Sequence, residues 1–191
     1  MHGAMKLGVV SDIHCQHEAL IRAIELMGPV DRLICAGDAI DQSRFCNRTI
    51  GLLREHGFHA IRGNHEFHFF AEASARQDSM EAELGDWLRS RPDELRFAAA
   101  GADIHVVHAT AWDGGYEYVV PTHRAFARFA ESGADIVIYG HTHQPVVRRI
   151  GDTLIVNPGS VGEGRPDARG FIRSCAVIDC AARDARIIDL D

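Results

Sequence analysis

Three times in the first part of the chain, an apolar run of strand length ends in a cluster of polar residues. Residues 5–10 lead into Ser11-Asp12-Ile13-His14, residues 32–36 into Gly37-Asp38-Ala39-Ile40-Asp41, and residues 58–61 into Arg62-Gly63-Asn64-His65-Glu66. Between the first two runs, Ala19, Leu20, Ala23, Ile24 and Met27 recur at helical spacing before Gly28 and Pro29. Between the second and third, Ile50, Leu52 and Leu53 mark a helix that stops at Gly57, with Arg54 and Glu55 facing solvent. Strand and helix in alternation build a parallel sheet, and ligands of such sheets bind at the carboxyl ends of the strands. The three polar clusters are therefore expected to converge.

The rest of the chain extends the pattern and then changes it. Residues 67–91 turn helical, with Met80, Leu84, Trp87 and Leu88 on one face, and are expected to form an excursion over the site. Residues 95–99 and 103–107 read as strands around a turn at Gly101, the second ending at His108. Residues 121–132 are expected to be helical, with proline near the start and Gly133 past the end. Residues 135–139 form one more strand, closing on Gly140-His141-Thr142-His143. Beyond it only strands follow: residues 146–150 and 153–156 flank the hairpin signal Gly151-Asp152, and residues 171–179 pair with 186–190. A parallel first half and an antiparallel second half predict an α/β fold of two mixed sheets packed together with helices outside. There is no repeat, low-complexity tract or disordered linker.

With 191 residues, 46% of them hydrophobic, the chain has the size of one domain with a substantial core, so residues 1–191 are expected to fold as a unit. A net charge of -7 argues against stable binding to nucleic acid or to an anionic membrane, which call for clustered lysine and arginine. No apolar stretch is long enough to cross a bilayer, and the amino end runs straight into a strand pattern instead of a signal peptide, so a cytoplasmic location is expected. The five cysteines are scattered, with no CxxC pair, and read as small buried residues in a reducing compartment; Cys15, inside a polar motif, is also assigned to packing. The twelve histidines say more, because several stand with Asp, Asn and Gly directly behind apolar runs. That arrangement points to metal.

Taken in order, the strand-end clusters are Asp12-Ile13-His14, Gly37-Asp38 with Asp41, Gly63-Asn64-His65-Glu66, His108, and Gly140-His141-Thr142-His143. A lone Asp or His at a strand end is often only a turn or cap residue. The ordered set DxH, GDxxD, GNHE, lone His and GHxH resembles the calcineurin-like metallophosphoesterase superfamily, over essentially the whole chain. Within it, the short length, the hairpin after GHTH, Asn157-Pro158-Gly159-Ser160 and the stretch from His108 through Trp112 to Asp113 resemble the small bacterial phosphodiesterases of the YfcE type.

The resemblance implies a four-layer αββα sandwich and two divalent ions. One ion would take Asp12, His14, Asp38 and His143, the other Asp38, Asn64, His108 and His141. Cations on the order of 3.5–4 Å apart repel, so a shared carboxylate, here Asp38, must neutralise them from between. Imidazole, carboxylate and amide donors without thiolate suit manganese, the first choice, or iron, nickel, cobalt or zinc. His65 would not bind metal; it would give a proton to the leaving oxygen. With Asp38 and Asn64 it completes the implied catalytic set. The implied reaction is hydrolysis of a small phosphodiester by a hydroxide bridging the ions, with monoesters also admitted. Self-association is common in relatives and is not legible in the residues.

The chain departs from the family in two places: Ala109 stands where glycine more often follows the lone His, and Cys15-Gln16 where Gly-Asn commonly follows DIH. Asp41 and Glu66 divide evenly between orienting an imidazole and being solvated loop acids. His105, an odd number of residues before His108 on one strand, faces the other way, and His17, His56, His59 and His123 fall on helices or loop edges. RGNHE is also how serine/threonine protein phosphatases and dinucleoside tetraphosphate hydrolases write this motif. Those proteins are longer and follow GDxxD with Arg-Gly, where this chain has Gln42-Ser43. A scaffold on the same fold, like the retromer subunit, is a third reading, against which stand Asn64, His65 and both histidines of GHTH. Phe67, Phe69, Phe70, Trp112 and Tyr116 are expected to pack; stacking on a base is the lesser alternative.

Overall fold

Alternate residues of the first strand explain the layers. In a computed structural model describing residues 5–71, 79–168 and 170–191, the strand β1 (Lys6–Val10) buries Leu7 and Val9 on one side and Val10 on the other. Side chains on a strand alternate between faces, so β1 is apolar on both and must lie inside. Chain order continues with α1 (His17–Met27), β2 (Arg32–Cys35), α2 (Asn47–Glu55), β3 (His59–Ala60), α3 (Asn64–Ala71) and α4 (Ala82–Arg89). After these come β4 (Glu94–Ala99), β5 (Ala102–Val107), a 3-10 helix (Phe126–Ser132), β6 (Ile136–Ile138), β7 (Val146–Ile150) and β8 (Thr153–Asn157). The chain closes with β9 (Arg165–Asp167), β10 (Gly170–Ile172), β11 (Ser174–Asp179) and β12 (Asp184–Asp189).

Two five-stranded mixed sheets result, in the orders β12-β11-β1-β2-β3 and β4-β5-β6-β8-β7. Strands β1, β2 and β3 run parallel, and β11 is antiparallel to β1; in the second sheet β5, β6 and β8 run parallel, with antiparallel β4 and β7 at its edges. Leu7, Val9 and Ile34 from one sheet meet Ile104, Val106, Ile136 and Val156 from the other in a central core. The opposite face of the first sheet packs Val10, Cys35 and Val177 against Leu20, Ala23, Leu53 and Leu88 of the helices. On the far side, Val137 and Ile155 of the second sheet, with Tyr139 just past β6, cover Phe126 and Phe129. That is helix layer, sheet, sheet, helical layer. No helix among the described residues is long and apolar enough to cross a membrane.

Four local differences from the sequence reading have physical reasons. The helix expected from residue 67 begins at Asn64, which places Asn64 and His65 in its first turn. Of the expected excursion over the site, residues 72–78 lie outside the described residues, and α4 packs against α2 instead, with Leu84 and Leu88 in the outer core and Arg54 paired to Glu83. The stretch at 121–132 is turn and then 3-10 helix, whose three-residue period puts Phe126 and Phe129 on one buried face; Gly133 closes it at φ 73°. The strand expected at 171–179 divides at Arg173: Phe171 pairs with Pro166 in a two-stranded ribbon, whereas Ser174 turns inward and donates its N–H to the Ser160 carbonyl.

Candidate metal centre

The polar clusters behind β1, β2, β3, β5 and β6 meet at one end of the sheets, and they meet in strained backbone. Asp12, His14, Asp38, His141 and His143 all have positive φ, between 46° and 64°, as does Cys15. Residues other than glycine rarely adopt that region, and where several do so together the surrounding structure must hold them there. The holding groups are visible. Asp12 and Ile13 donate their N–H groups to the carbonyls of Gly37 and Asp38, and the Ser160 hydroxyl donates to the Asp12 carbonyl at 2.8 Å. The Asn157 amide donates to the Gly140 carbonyl at 2.7 Å, fixing the entry to the His141 loop. At Gly63 a Cβ would lie 2.2 Å from Asp38 Oδ1, so only glycine lets the two loops approach this closely.

Two groups of donor atoms form. In the first, Asp12, His14 and His143 converge: His143 Nε2 lies 3.3 Å from Asp12 Oδ1 and 3.2 Å from His14 Nε2. Asp12 Oδ1 is buried with no hydrogen-bond partner. The other nitrogen of His143, Nδ1, faces Glu163 Oε2 at 3.3 Å; a proton held there leaves Nε2 to present a lone pair to the group. Lone pairs of two imidazoles and a carboxylate directed at one another repel unless a cation sits among them. Donors and geometry thus fit a divalent ion.

The second group is Asp38, His108 and His141. His108 Nδ1 is 2.7 Å from the Ala36 carbonyl, an acceptor only, so Nδ1 must carry a proton. Its Nε2 nonetheless faces two more oxygens, Asn64 Oδ1 at 3.0 Å and Asp38 Oδ2 at 3.2 Å. Burial alone would lower the pKa of His108, but Asp38 pushes it up to about 10, so a proton occupies the place a cation would fill. Burial likewise pushes Asp38 upward, and the His108 imidazolium more than reverses it, holding that carboxylate well below the usual range. His141 Nε2 is 2.9 Å from the Tyr116 carbonyl, which leaves Nδ1 for the cluster; burial first, and then His108, lower its pKa. His143 shifts upward against its burial because of Asp12, and His14 downward because of burial.

Asp38 and His65 stand between the groups. His14, Asp38 and His65 themselves bring ligand atoms within 4.8 Å of one another, so Asp38 has neighbours in both. The His65 N–H donates to Asp38 Oδ1 at 2.9 Å, and the Gln42 N–H donates to His65 Nδ1 at 3.0 Å. An Nδ1 that accepts forces the proton of the neutral ring onto Nε2, which lies 3.9 Å from Asp38 Oδ2. His65 therefore turns a donor N–H toward the centre.

Neither account of Glu66 matches what is seen. Fully buried, its carboxylate accepts the backbone N–H groups of Asp38, Ile40 and Gly63 at 2.9, 3.1 and 2.7 Å, clamping the second and third loops together. Burial and the Asp38 charge push its pKa up to about 7. Asp41 accepts from the Ser43 N–H and hydroxyl, closing a turn, and makes no hydrogen bond to an imidazole among the described residues. Cys15 is packed, its thiol donated to the Arg44 carbonyl at 3.3 Å and its pKa raised by burial to about 11. His105 does face away from the centre and meets Glu94 at 3.1 Å. Glu163, the Tyr116 carbonyl and Tyr118, whose ring centroid is 4.0 Å from that of His141, were not singled out in the sequence. The Gly-Glu-Gly setting of Glu163, just past Asn157-Pro158-Gly159-Ser160, was its only signal.

Three comparisons bear on these groups. A family model described as the calcineurin-like phosphoesterase superfamily domain matches residues 5–183. A protein named a phosphodiesterase from Methanocaldococcus jannaschii is 25% identical over 159 residues, 81% of this chain and 83% of its own length. Among solved structures, a metallophosphoesterase from Sphaerobacter thermophilus superposes with a TM-score of 0.82 at 22% identity, over 99% of this chain and 89% of that one. The phosphoesterase YfcE of E. coli superposes with a TM-score of 0.58 at 21% identity, over 98% and 100%.

Proposed function

Because the chain belongs to the calcineurin-like phosphoesterase superfamily and is a metal-dependent phosphoric ester hydrolase, we propose that it hydrolyses small phosphodiesters at a centre of two divalent ions. The observation that carries this reading is the pair of three-residue donor groups, with Asp38 of the second also near His14 of the first. Asp12, His14, Asp38 and His143 would hold one ion, and Asp38, Asn64, His108 and His141 the other. When bound, such ions lower the pKa of water from 15.7 toward about 7 and neutralise phosphoryl oxygens.

The chain's own residues then do the rest. Ala36, Tyr116 and Glu163 each engage the second nitrogen of a ligand histidine, fixing which nitrogen points inward. His65 offers its Nε2 proton to the departing ester oxygen, a role general-acid catalysis rewards by about 10²–10⁴ in rate. Manganese is the ion we favour, and we place the protein in the cytoplasm, acting on small phosphoesters without nucleic acid or membrane as partners.

The test is a chromogenic phosphodiester assay on metal-reconstituted protein, with metal content measured in parallel. His65→Ala should lose at least about 10²-fold in kcat at unchanged metal content. Loss of metal in that variant would make His65 a ligand, and a metal-loaded wild type inert toward every phosphoester would favour a scaffold.

A further inference from the structure

A cavity of about 510 Å³ opens directly beside the candidate metal centre, with His108 in its wall. Residues 92–94 and Arg62 form one side, and the loop 109–116 forms the other. With His108 in its wall, it offers a place for an organic group attached to a phosphoryl held at the centre. What the cavity accepts is a question of its charges and its aromatic faces.

Apart from His108, the charged residues of the lining are Arg62, Asp93, Glu94 and Asp113. The single cation is already committed: Arg62 places Nε and Nη2 at 3.0 and 2.7 Å from Asp93 Oδ1. Glu94 meets His105 through Oε2, and Asp113 receives the Thr110 hydroxyl and the Gly115 N–H through Oδ1. Each of these three carboxylates keeps its second oxygen without a hydrogen bond among the described residues, so one guanidinium faces three acids. A second phosphate or a carboxylate brought here would be repelled.

The aromatic wall points the same way. Trp112 cannot serve as a stacking platform, because Phe129 packs on it at 5.2 Å and the Arg128 guanidinium covers its ring at 4.4 Å. Tyr116, 40% exposed, is the aromatic ring left accessible in the lining, and an accessible tyrosine in a lining that holds three acids to one guanidinium is a setting that attracts an ammonium group.

We propose that this cavity receives one ester arm of the phosphodiester, and that the arm it selects is an alcohol carrying an ammonium group. The proposal rests on the phosphodiesterase reading above. It is tested with three p-nitrophenyl phosphodiesters that release the same chromophore and differ only in the second arm: choline, its uncharged 3,3-dimethylbutyl analogue, and a carboxyalkyl chain. At low salt the choline ester should exceed the uncharged one about tenfold in kcat/KM, with the carboxyalkyl ester lowest; exposed charge pairs act at roughly this level and salt should narrow the gap. Glu94→Gln and Asp93→Asn should each shrink the preference about threefold, whereas Glu83→Gln on α4 should leave it intact. Without turnover, saturation-transfer NMR should show choline, and not 3,3-dimethylbutanol, binding to protein carrying no added metal, and the signal should fall in Glu94→Gln. Equal kcat/KM values, or preference for the carboxyalkyl ester, would overturn the proposal and leave the phosphodiesterase reading standing. No turnover of any ester by metal-loaded protein would overturn both.

Discussion

Asp12 spends one carboxylate oxygen on the His141 N–H at 3.0 Å and leaves the other buried and unpaired. That division is the signature of a residue shaped by something other than folding, since an unsatisfied buried acceptor costs about 1–3 kcal/mol. Chemical types at this scale were legible: Asp, Asn and His behind apolar runs identified every member of the two donor groups. The conformations were not, because nothing in DIH or GHTH announces a left-handed backbone; that is imposed by bonds from Gly37, Asp38, Ser160 and Asn157, distant in sequence. Two predictions belong here. Gly63→Ala puts a methyl group 2.2 Å from Asp38 Oδ1 and should lower metal content well below wild type, measured by calorimetry or mass spectrometry of metal. Glu163→Ala should weaken metal binding by roughly 10–100-fold, as loss of a group orienting a ligand histidine does, while the fold by circular dichroism stays intact.

Among elements, α3 and the loops it meets matter most. Its first turn carries Asn64, His65 and Glu66, each facing a different task, and α3 was expected to begin later because the apolar residues 67–70 dominate the pattern. The amides that Glu66 accepts come from loops far along the chain, a partnership that no local spacing encodes. Glu66→Ala would leave the amides of Asp38, Ile40 and Gly63 without acceptors and should destabilise the protein by about 3 kcal/mol or more, read as a lower midpoint in urea. Should the midpoint barely move, the clamp is dispensable and Asp38 is positioned by other contacts. The short β3 and the divided strand at Arg173 show the same limit: apolar runs locate strands well, but their ends are decided by which backbone groups a neighbouring loop demands.

At the scale of the molecule, the two-sheet sandwich was legible because β1, β2 and β6 are apolar on both faces, β5 and β8 are largely so, and the late strands are separated by turn residues. What stayed hidden was strand order, above all that β11 and β12 return to the first sheet. The same burial governs the thiols. Cys15, Cys35, Cys175 and Cys180 are buried, and burial raises the pKa of all four, whereas Cys46 is partly exposed. At pH 8 a thiol reagent should therefore label Cys46 first, and the other four only as the protein unfolds in denaturant; rapid labelling of a second cysteine under native conditions would contradict this packing.

The place of β1 between β2 and β11 has a consequence for how the protein comes into being. During synthesis β1 gains β2 early, but its other edge stays unpaired until the ribosome has released β11, and the Ser160 hydroxyl that holds the Asp12 backbone is also made late. Long-range closure of this kind is slow and leaves an apolar edge exposed in the interim. The donor group of Asp12, His14 and His143 likewise joins residues far apart in sequence, so metal arriving before His143 is in place would find only part of a site. Metal uptake is thus tied to late closure: the donor group is whole only once His143 has joined Asp12 and His14, and the Asp12 backbone is braced only once Ser160 follows.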